Sequence, residues 1–311
     1  MNFSIVIPLY NKEDYVEETL QSVFDQTKLP SELIIVDDQS TDGSLQKARD
    51  FLDRLPSKFN DVRIEIIELE KNGGVGRARN IGFEKTTGDV ISFLDADDIY
   101  APDLLQTTDE LMSLHDIDFL VVGIHLFPSN EISPDLRKLN QKLTTIIPDA
   151  YRMDEPLKVV TSMEFLMGVG SNLLVQRKWM ESFMFYEKPN FYEGIDYWFR
   201  VLKHILKHKS GSIGLLMGER LKVREVPGSA SRKRFDHWKE AHYPPLLISF
   251  KGSRDTYDKL MMGVVGKRWL RYCIRNLNST QQKLIFIYKY KYLFWNQFRY
   301  FLLRNFLQLK S

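Results

Sequence analysis

The sequence predicts an α/β fold: a mostly parallel, twisted sheet flanked by helices, with a helical C-terminal extension. Three observations predict it. Strand-like and helix-like segments alternate four times in about the first 95 residues, the rhythm of a parallel sheet with crossover helices. The strand-like segments are short apolar runs, as expected of strands covered on both faces. Polar or glycine-rich segments lie at or just beyond their carboxyl ends, where open parallel sheets bind ligands.

The elements follow in order. Phe3-Ser-Ile-Val-Ile-Pro8 reads as a buried strand. Residues 13–26 space Val16, Leu20, Val23 and Phe24 as one helical face, with acidic residues in the first turn. Leu33 to Val36 forms a second strand ending at Asp37-Asp38. Ser40-Thr-Asp-Gly43 reads as a turn and cap before a helix over 44–55. Val62 to Leu69 alternates into a third strand, and Asn72-Gly-Gly-Val-Gly76 turns into a helix over about 77–86. Asp89 to Leu94 is a fourth strand, ending at Asp95-Ala-Asp-Asp98. A helix over 102–115 and a strand over 117–124 continue the pattern. Residues 128–157 have no clear period and read as an irregular insertion. A strand is expected over 170–175, a helix from Tyr192 to Lys207, an edge strand from Leu221 to Val226, and helices from Phe235 on.

Composition bounds the function. Hydrophobic residues are 43% and charged residues 27% of 311, which excludes a disordered or collagen-like chain. One cysteine, Cys273, excludes an intramolecular disulfide and fits a reducing compartment. Met1 to Tyr10 reads as a strand and not as a signal peptide. No stretch is long and apolar enough to span a bilayer. The net charge of +2 hides an asymmetry: from Lys259 to Ser311 there are eleven Lys/Arg and no Asp/Glu, so the preceding residues are net acidic.

Several residues could carry chemistry. Asp95-x-Asp97 at a strand end points two carboxylates the same way, and hard cations take oxygen ligands. Asp98 adds a third oxygen donor, although the same residues could merely cap the next helix. Asp37-Asp38 could likewise be only a turn. The Asn72–Gly76 loop could offer backbone N–H groups to a phosphate, but it lacks the spacing of a dinucleotide fingerprint or a P-loop. No glycine loop with a lysine follows the first strand, which argues against a nucleotidyltransferase.

Taken in order, FSIVIPLYNKEDYVEETLQSVFDQT, ELIIVDDQSTDGS, NGGVGRARNIG and TGDVISFLDADD resemble the nucleotide-binding half of the family 2 glycosyltransferases, from Phe3 to about Asp103. Weaker likeness continues over 170–179, 193–201 and 223–231. The resemblance implies the glycosyltransferase type A fold and an inverting, metal-dependent transfer from a nucleotide-diphosphate sugar, most often a uridine one. It implies that Pro8 and Tyr10 line the base pocket and that Asp38 bonds the base. Asp95 would reach the ribose and Asp97 would ligate Mg²⁺ or Mn²⁺, with Asp98 as a further candidate ligand. Arg77 and Arg79 would lie near the diphosphate. In Gly194-Ile-Asp196-Tyr-Trp-Phe-Arg200 the family's glutamate is replaced by Ile195 while Asp196 remains, so Asp196 is the candidate base and Glu193 its rival. The family's R-x-H-x-G-S-x-S stretch has Val226 in place of histidine, which leaves the metal shell to water or Asp98. His237 is near in sequence and is not assigned.

The expected organisation is a nucleotide-sugar-binding half over 1–124, an acceptor-side half of the same catalytic domain over 125–235 and a helical basic and aromatic region over 236–311. Leu284 to Leu309 reads as a loosely amphipathic helix rich in aromatics, suited to an anionic membrane surface or to packing on protein. The expected activity is transfer to a glycan or lipid-linked acceptor in surface polysaccharide or glycolipid synthesis. The expected location is the cytoplasm, peripheral on the inner membrane face, without nucleic acid and with an oligomer open. The alternative is a non-catalytic nucleotide-sugar or glycan-binding module of the same fold.

Overall fold

The structure, a computed structural model, describes residues 1–139, 142–162, 165, 167–168, 170–187, 191–208, 211–226 and 234–293. Its elements are β1 (Phe3–Leu9), α1 (Val16–Phe24), β2 (Glu32–Asp37), α2 (Ser44–Asp53), β3 (Arg63–Glu68), α3 (Val75–Lys85), β4 (Val90–Phe93), β5 (Ile99–Tyr100) and α4 (Leu104–Leu114). Next come β6 (Phe119–Val122), β7 (Ile124–Phe127), β8 (Ile132–Ser133), β9 (Leu143–Ile147), β10 (Ala150–Met153), α5 (Pro156–Val160), β11 (Leu173–Gln176) and α6 (Glu193–Ile205). The chain continues through β12 (Ile213–Leu216), β13 (Leu221–Arg224), α7 (Pro245–Ser249), α8 (Thr256–Asn276) and α9 (Thr280–Lys289).

The main sheet has the order β3-β2-β1-β4-β11-β6-β12-β10-β9. Its first four strands are parallel, and β11 runs antiparallel between β4 and β6. Successive side chains of a strand face opposite sides, and here both sides are covered. Ile5, Ile7, Leu33, Ile35 and Val90 belong to one core, and Val6, Ile34, Val36, Ile91 and Phe93 to the other. That double burial is why these strands read as unbroken apolar runs. A smaller sheet, β5-β13-β7-β8, stands beside the main one. The single strand expected over 117–124 is split at Gly123: β6 stays in the main sheet and β7 enters the small one.

Two other expectations change, and one strand was not foreseen. Residues 128–157 are not irregular; they supply β8, β9 and β10, the last two extending the main sheet. β12 lies inside the main sheet between β6 and β10, although its apolar run is too short to show a period. The strand expected at an edge, β13, is interior to the small sheet, paired with β5 and β7. The three expected segments also intermix: β9 to β12 complete the sheet that β1 to β4 and β6 begin. Helices α7 to α9 add Leu246, Val265, Trp269, Cys273 and Phe286 to the core that holds Trp198 of α6. The described part of the basic segment is therefore packed on protein along one side; residues 294–311 lie outside the described residues.

Candidate active site

The parallel strands deliver their carboxyl ends to one edge. Beyond β1, Tyr10 is 44% exposed, and Asn11 ties this loop to the next through hydrogen bonds with Thr41. Beyond β2, Asp38 is buried and both of its carboxylate oxygens are engaged. Gly73 N donates to one at 2.7 Å and Gly74 N to the other at 2.8 Å, while Asn72 Nδ2 donates to the Asp38 carbonyl at 3.0 Å. Asp38 thus braces the glycine loop, a use that its place in a D-D turn did not disclose. Arg77, half-buried, folds back against Gly73.

The acidic turn after β4 is the centre of the site. The Asp95 carboxylate accepts from Arg79 Nη2 at 2.8 Å, and the same guanidinium donates through Nη1 to Glu193 at 3.1 Å. The Arg79 side chain is only 4% exposed and lies against the Phe185 ring. Burial opposes its charge, but Asp95 and Glu193 outweigh that and hold its pKa above the ordinary value. Arg79 is therefore a buried link between the end of β4 and the first turn of α6, instead of an open cation. Asp97 is paired with Lys12, from the loop after β1. Asp98 is buried; Ser171 Oγ donates to it at 2.6 Å and Arg224 N at 3.1 Å. Asp98 fastens the acidic turn to the segments before β11 and at the end of β13, which removes it as a free ligand. Burial, then the Asp95 charge, raises the pKa of Asp97 despite Lys12. Asp98 is raised well above the carboxylate range by burial and by the charges of Asp95 and Asp97.

Glycines let this turn close. At Gly170 φ is +52°, and a Cβ there would stand 2.0 Å from Asp95 Oδ2. At Gly194 a Cβ would stand 2.4 Å from the Gly168 carbonyl oxygen, so Gly168 can lie directly on the start of α6.

The two candidate bases differ. Glu193 faces Arg79 and the acidic turn. Asp196 is buried, and its Oδ2 accepts from Arg200 Nε at 2.9 Å. Its other oxygen has no hydrogen-bond partner among the described residues, and no hydrogen bond or ion pair joins Asp196 to Asp95, Asp97 or Arg79. The structure brings Glu193 to the site and leaves Asp196 one helical turn away in an internal ion pair. Val226 follows β13, and Gly228 to Ser231 lie outside the described residues. His237 is used elsewhere: its Nδ1 accepts from Lys239 N in a capping turn.

Lys12, Ser171 and Arg224 are contributors that sequence reasoning missed. The Arg224 guanidinium lies between the Tyr15 and Phe127 rings and donates to the Asp97 carbonyl at 3.1 Å. All three fall in stretches that resemble the family, Lys12 in the first motif and Ser171 and Arg224 in the weaker ones, which was the available signal.

The sequence profile of glycosyl transferase family 2 matches residues 4–182. That is more than half of the chain. The chain belongs to glycosyl transferase family 2. It is 40% identical over 123 residues to the putative teichuronic acid biosynthesis glycosyltransferase TuaG of Bacillus subtilis, a match covering 40% of this chain and 46% of TuaG. It is 30% identical over 154 residues to the poly(ribitol-phosphate) beta-N-acetylglucosaminyltransferase TarS of Staphylococcus aureus, covering 46% of this chain and 26% of TarS. These matches span less than half the length of either relative. In three dimensions, the S. aureus TarS 1–349 complex with UDP-GlcNAc superposes with a TM-score of 0.63 at 16% identity, over 100% of this chain and 93% of that one. The mannosyltransferase PcManGT of Pyrobaculum calidifontis, in complex with GDP-Man and Mn²⁺, gives 0.52 at 14% identity, over 97% and 73%. The fold of this family 2 member is accordingly glycosyltransferase type A, as expected from its sequence.

No three His, Cys, Asp or Glu side chains among the described residues form a ready cation cage. The donor set nevertheless suits a divalent cation of the Mg²⁺ type, which takes one or two carboxylates and completes its shell with substrate phosphates and water. Asp97 and Asp95 are oxygen donors one residue apart in a turn where burial, and after it the Asp95 charge, raises Asp97.

Proposed function

We propose that this chain transfers a sugar from a nucleotide-diphosphate donor, with uridine as the nucleoside, to a glycan or lipid-linked acceptor with inversion. The observation that carries this reading is the Asp95–Arg79–Glu193 bridge. It sets a carboxylate from the acceptor-side half against the strand end expected to hold the donor.

In this reading Pro8 and Tyr10 contact the base, and Asp38 acts through the glycine loop it braces. Asp95 holds the ribose, and Arg77 stands near the diphosphate. Asp97, with Asp95 beside it, would hold Mg²⁺ or Mn²⁺; when bound, the cation would offset charge on the leaving diphosphate. Glu193 takes the proton of the attacking acceptor hydroxyl, a role supported by its partial exposure of 18%. A positioned carboxylate contributes roughly 10²–10⁴-fold. Bond formation and departure on opposite faces of the anomeric carbon need no enzyme nucleophile and invert the centre. Arg79 keeps Glu193 oriented.

One observation favours the binding-module alternative: both candidate bases are held by arginines. A panel of nucleotide sugars, assayed for nucleoside diphosphate release with Mn²⁺ and with EDTA, decides between them. Donor binding without turnover on any acceptor would establish the module.

Peripheral placement on the inner face of the membrane belongs to the same proposal. No helix of the described residues is long and apolar enough to cross a membrane. Instead α9 and the residue stretch after it expose Leu284, Ile285, Ile287, Tyr288 and Tyr292 beside Lys289 and Lys291, a composition suited to an anionic interface.

A further inference from the structure

We propose that Lys12 is a tethered counter-cation that occupies Asp97 until a divalent cation and the donor diphosphate arrive together. This rests on the metal-assisted reading above.

Each carboxylate of the acidic turn has its own partner. Asp95 has Arg79, Asp97 has Lys12, and Asp98 has Ser171 and the Arg224 amide. These partners differ in how easily they can leave. Arg79 is sealed in the core between two carboxylates. Arg224 is fixed by Glu18, by the Asp97 carbonyl and by two aromatic rings. The Lys12 ammonium has Asp97 as its one hydrogen-bond and ion-pair partner among the described residues, and its side chain is 23% exposed.

The Lys12 backbone is anchored where its side chain is not. Its N–H donates to Ser44 Oγ at 2.6 Å, and its carbonyl accepts from Tyr15 N and Val16 N at 2.9 and 3.0 Å. A fixed Cα with a flexible four-carbon stem can swing the ammonium off Asp97 without moving the loop. Two cations cannot share Asp97 cheaply, so an incoming metal must displace Lys12. Displacement is uphill while the ammonium has only water to go to. It becomes favourable when diphosphate oxygens lie beside the same turn. The lysine thereby makes metal loading dependent on donor.

The test is an electron paramagnetic resonance titration of Mn²⁺ into the full chain, with and without UDP. Wild type is compared with Lys12→Met, Lys12→Arg and Asp97→Asn. Lys12→Met should bind Mn²⁺ alone roughly two- to fivefold tighter than wild type, the scale of one ion pair. Lys12→Arg keeps the charge and should stay near wild type. UDP should tighten Mn²⁺ binding by a larger factor in wild type than in Lys12→Met. Equal or weaker Mn²⁺ binding by Lys12→Met overturns the role of Lys12 alone. Absence of Mn²⁺ binding by every protein, even with UDP, overturns both this role and the metal-assisted reading.

Discussion

The two ends of the parallel sheet both bury carboxylates, and they are built on opposite principles. At the amino end Glu32 stands alone. Its oxygens accept from Ser4 Oγ, from Thr87 N at 2.7 Å, from Thr87 Oγ1 at 2.6 Å and from Arg63 at 2.9 Å. Burial opposes the charge, yet these donors outweigh it and hold the Glu32 pKa down at about 2. At the carboxyl end three aspartates share one turn, and burial with mutual repulsion drives Asp97 and Asp98 upward. A carboxylate supplied with more donors than it needs is a structural brace. Carboxylates crowded into one buried turn repel one another, and such a turn suits the oxygen-donor role proposed for it.

This contrast can be broken by substitution. The largest effect is expected at the carboxyl end: Asp97→Asn should abolish metal-dependent donor binding while leaving the melting temperature within a few degrees, measured by calorimetric titration with UDP and Mn²⁺. Retained metal-dependent binding would move the cation elsewhere. Glu193→Gln comes next. Transfer should fall by roughly 10²–10⁴-fold with donor affinity kept, whereas Asp196→Asn should change stability more than turnover. The reverse outcome, read from initial rates and thermal melts of both variants, would restore Asp196 as the base.

At the amino end the effect should be on stability alone. Glu32→Gln should cost about 1–3 kcal/mol by denaturant titration and leave donor affinity unchanged. Glu32 has a lowered folded pKa, so its contribution is fully present above its ordinary value of 4.5 and is lost as pH falls toward 2. A drop from 4.5 to about 2 corresponds to about 3 kcal/mol. Wild type should therefore lose stability across that window more steeply than Glu32→Gln, and parallel pH profiles would dismiss the brace. The smallest effect on the folded chain is expected from Leu284→Glu and Tyr288→Glu on exposed positions of α9. Stability should shift by no more than about 0.5 kcal/mol, while sedimentation with anionic liposomes should fall. Undiminished sedimentation would remove α9 from the membrane proposal.

The sequence by itself determined the sheet's parallel half and the edge where chemistry gathers. Buried strands must be apolar on both faces and their ends must be polar, so β1, β2 and β4, and the aspartates at the ends of β2 and β4, were legible one strand at a time. The order of four motifs carried the family. Where a contact joins distant segments, local pattern is silent. That Asp38 serves the glycine loop, that Arg79 reaches Glu193 across 114 positions while it holds Asp95, and that Lys12 faces Asp97 across 85 were decided only by tertiary structure. The same holds for β12, a four-residue apolar run that only its neighbours make a strand, and for the contact of Glu193 with Arg79. Helical spacing puts Glu193 and Asp196 on about the same face. Asp196 pairs with Arg200 one turn further along the same helix, a contact that local spacing allows, whereas Glu193 meets Arg79, which only the tertiary fold brings to it.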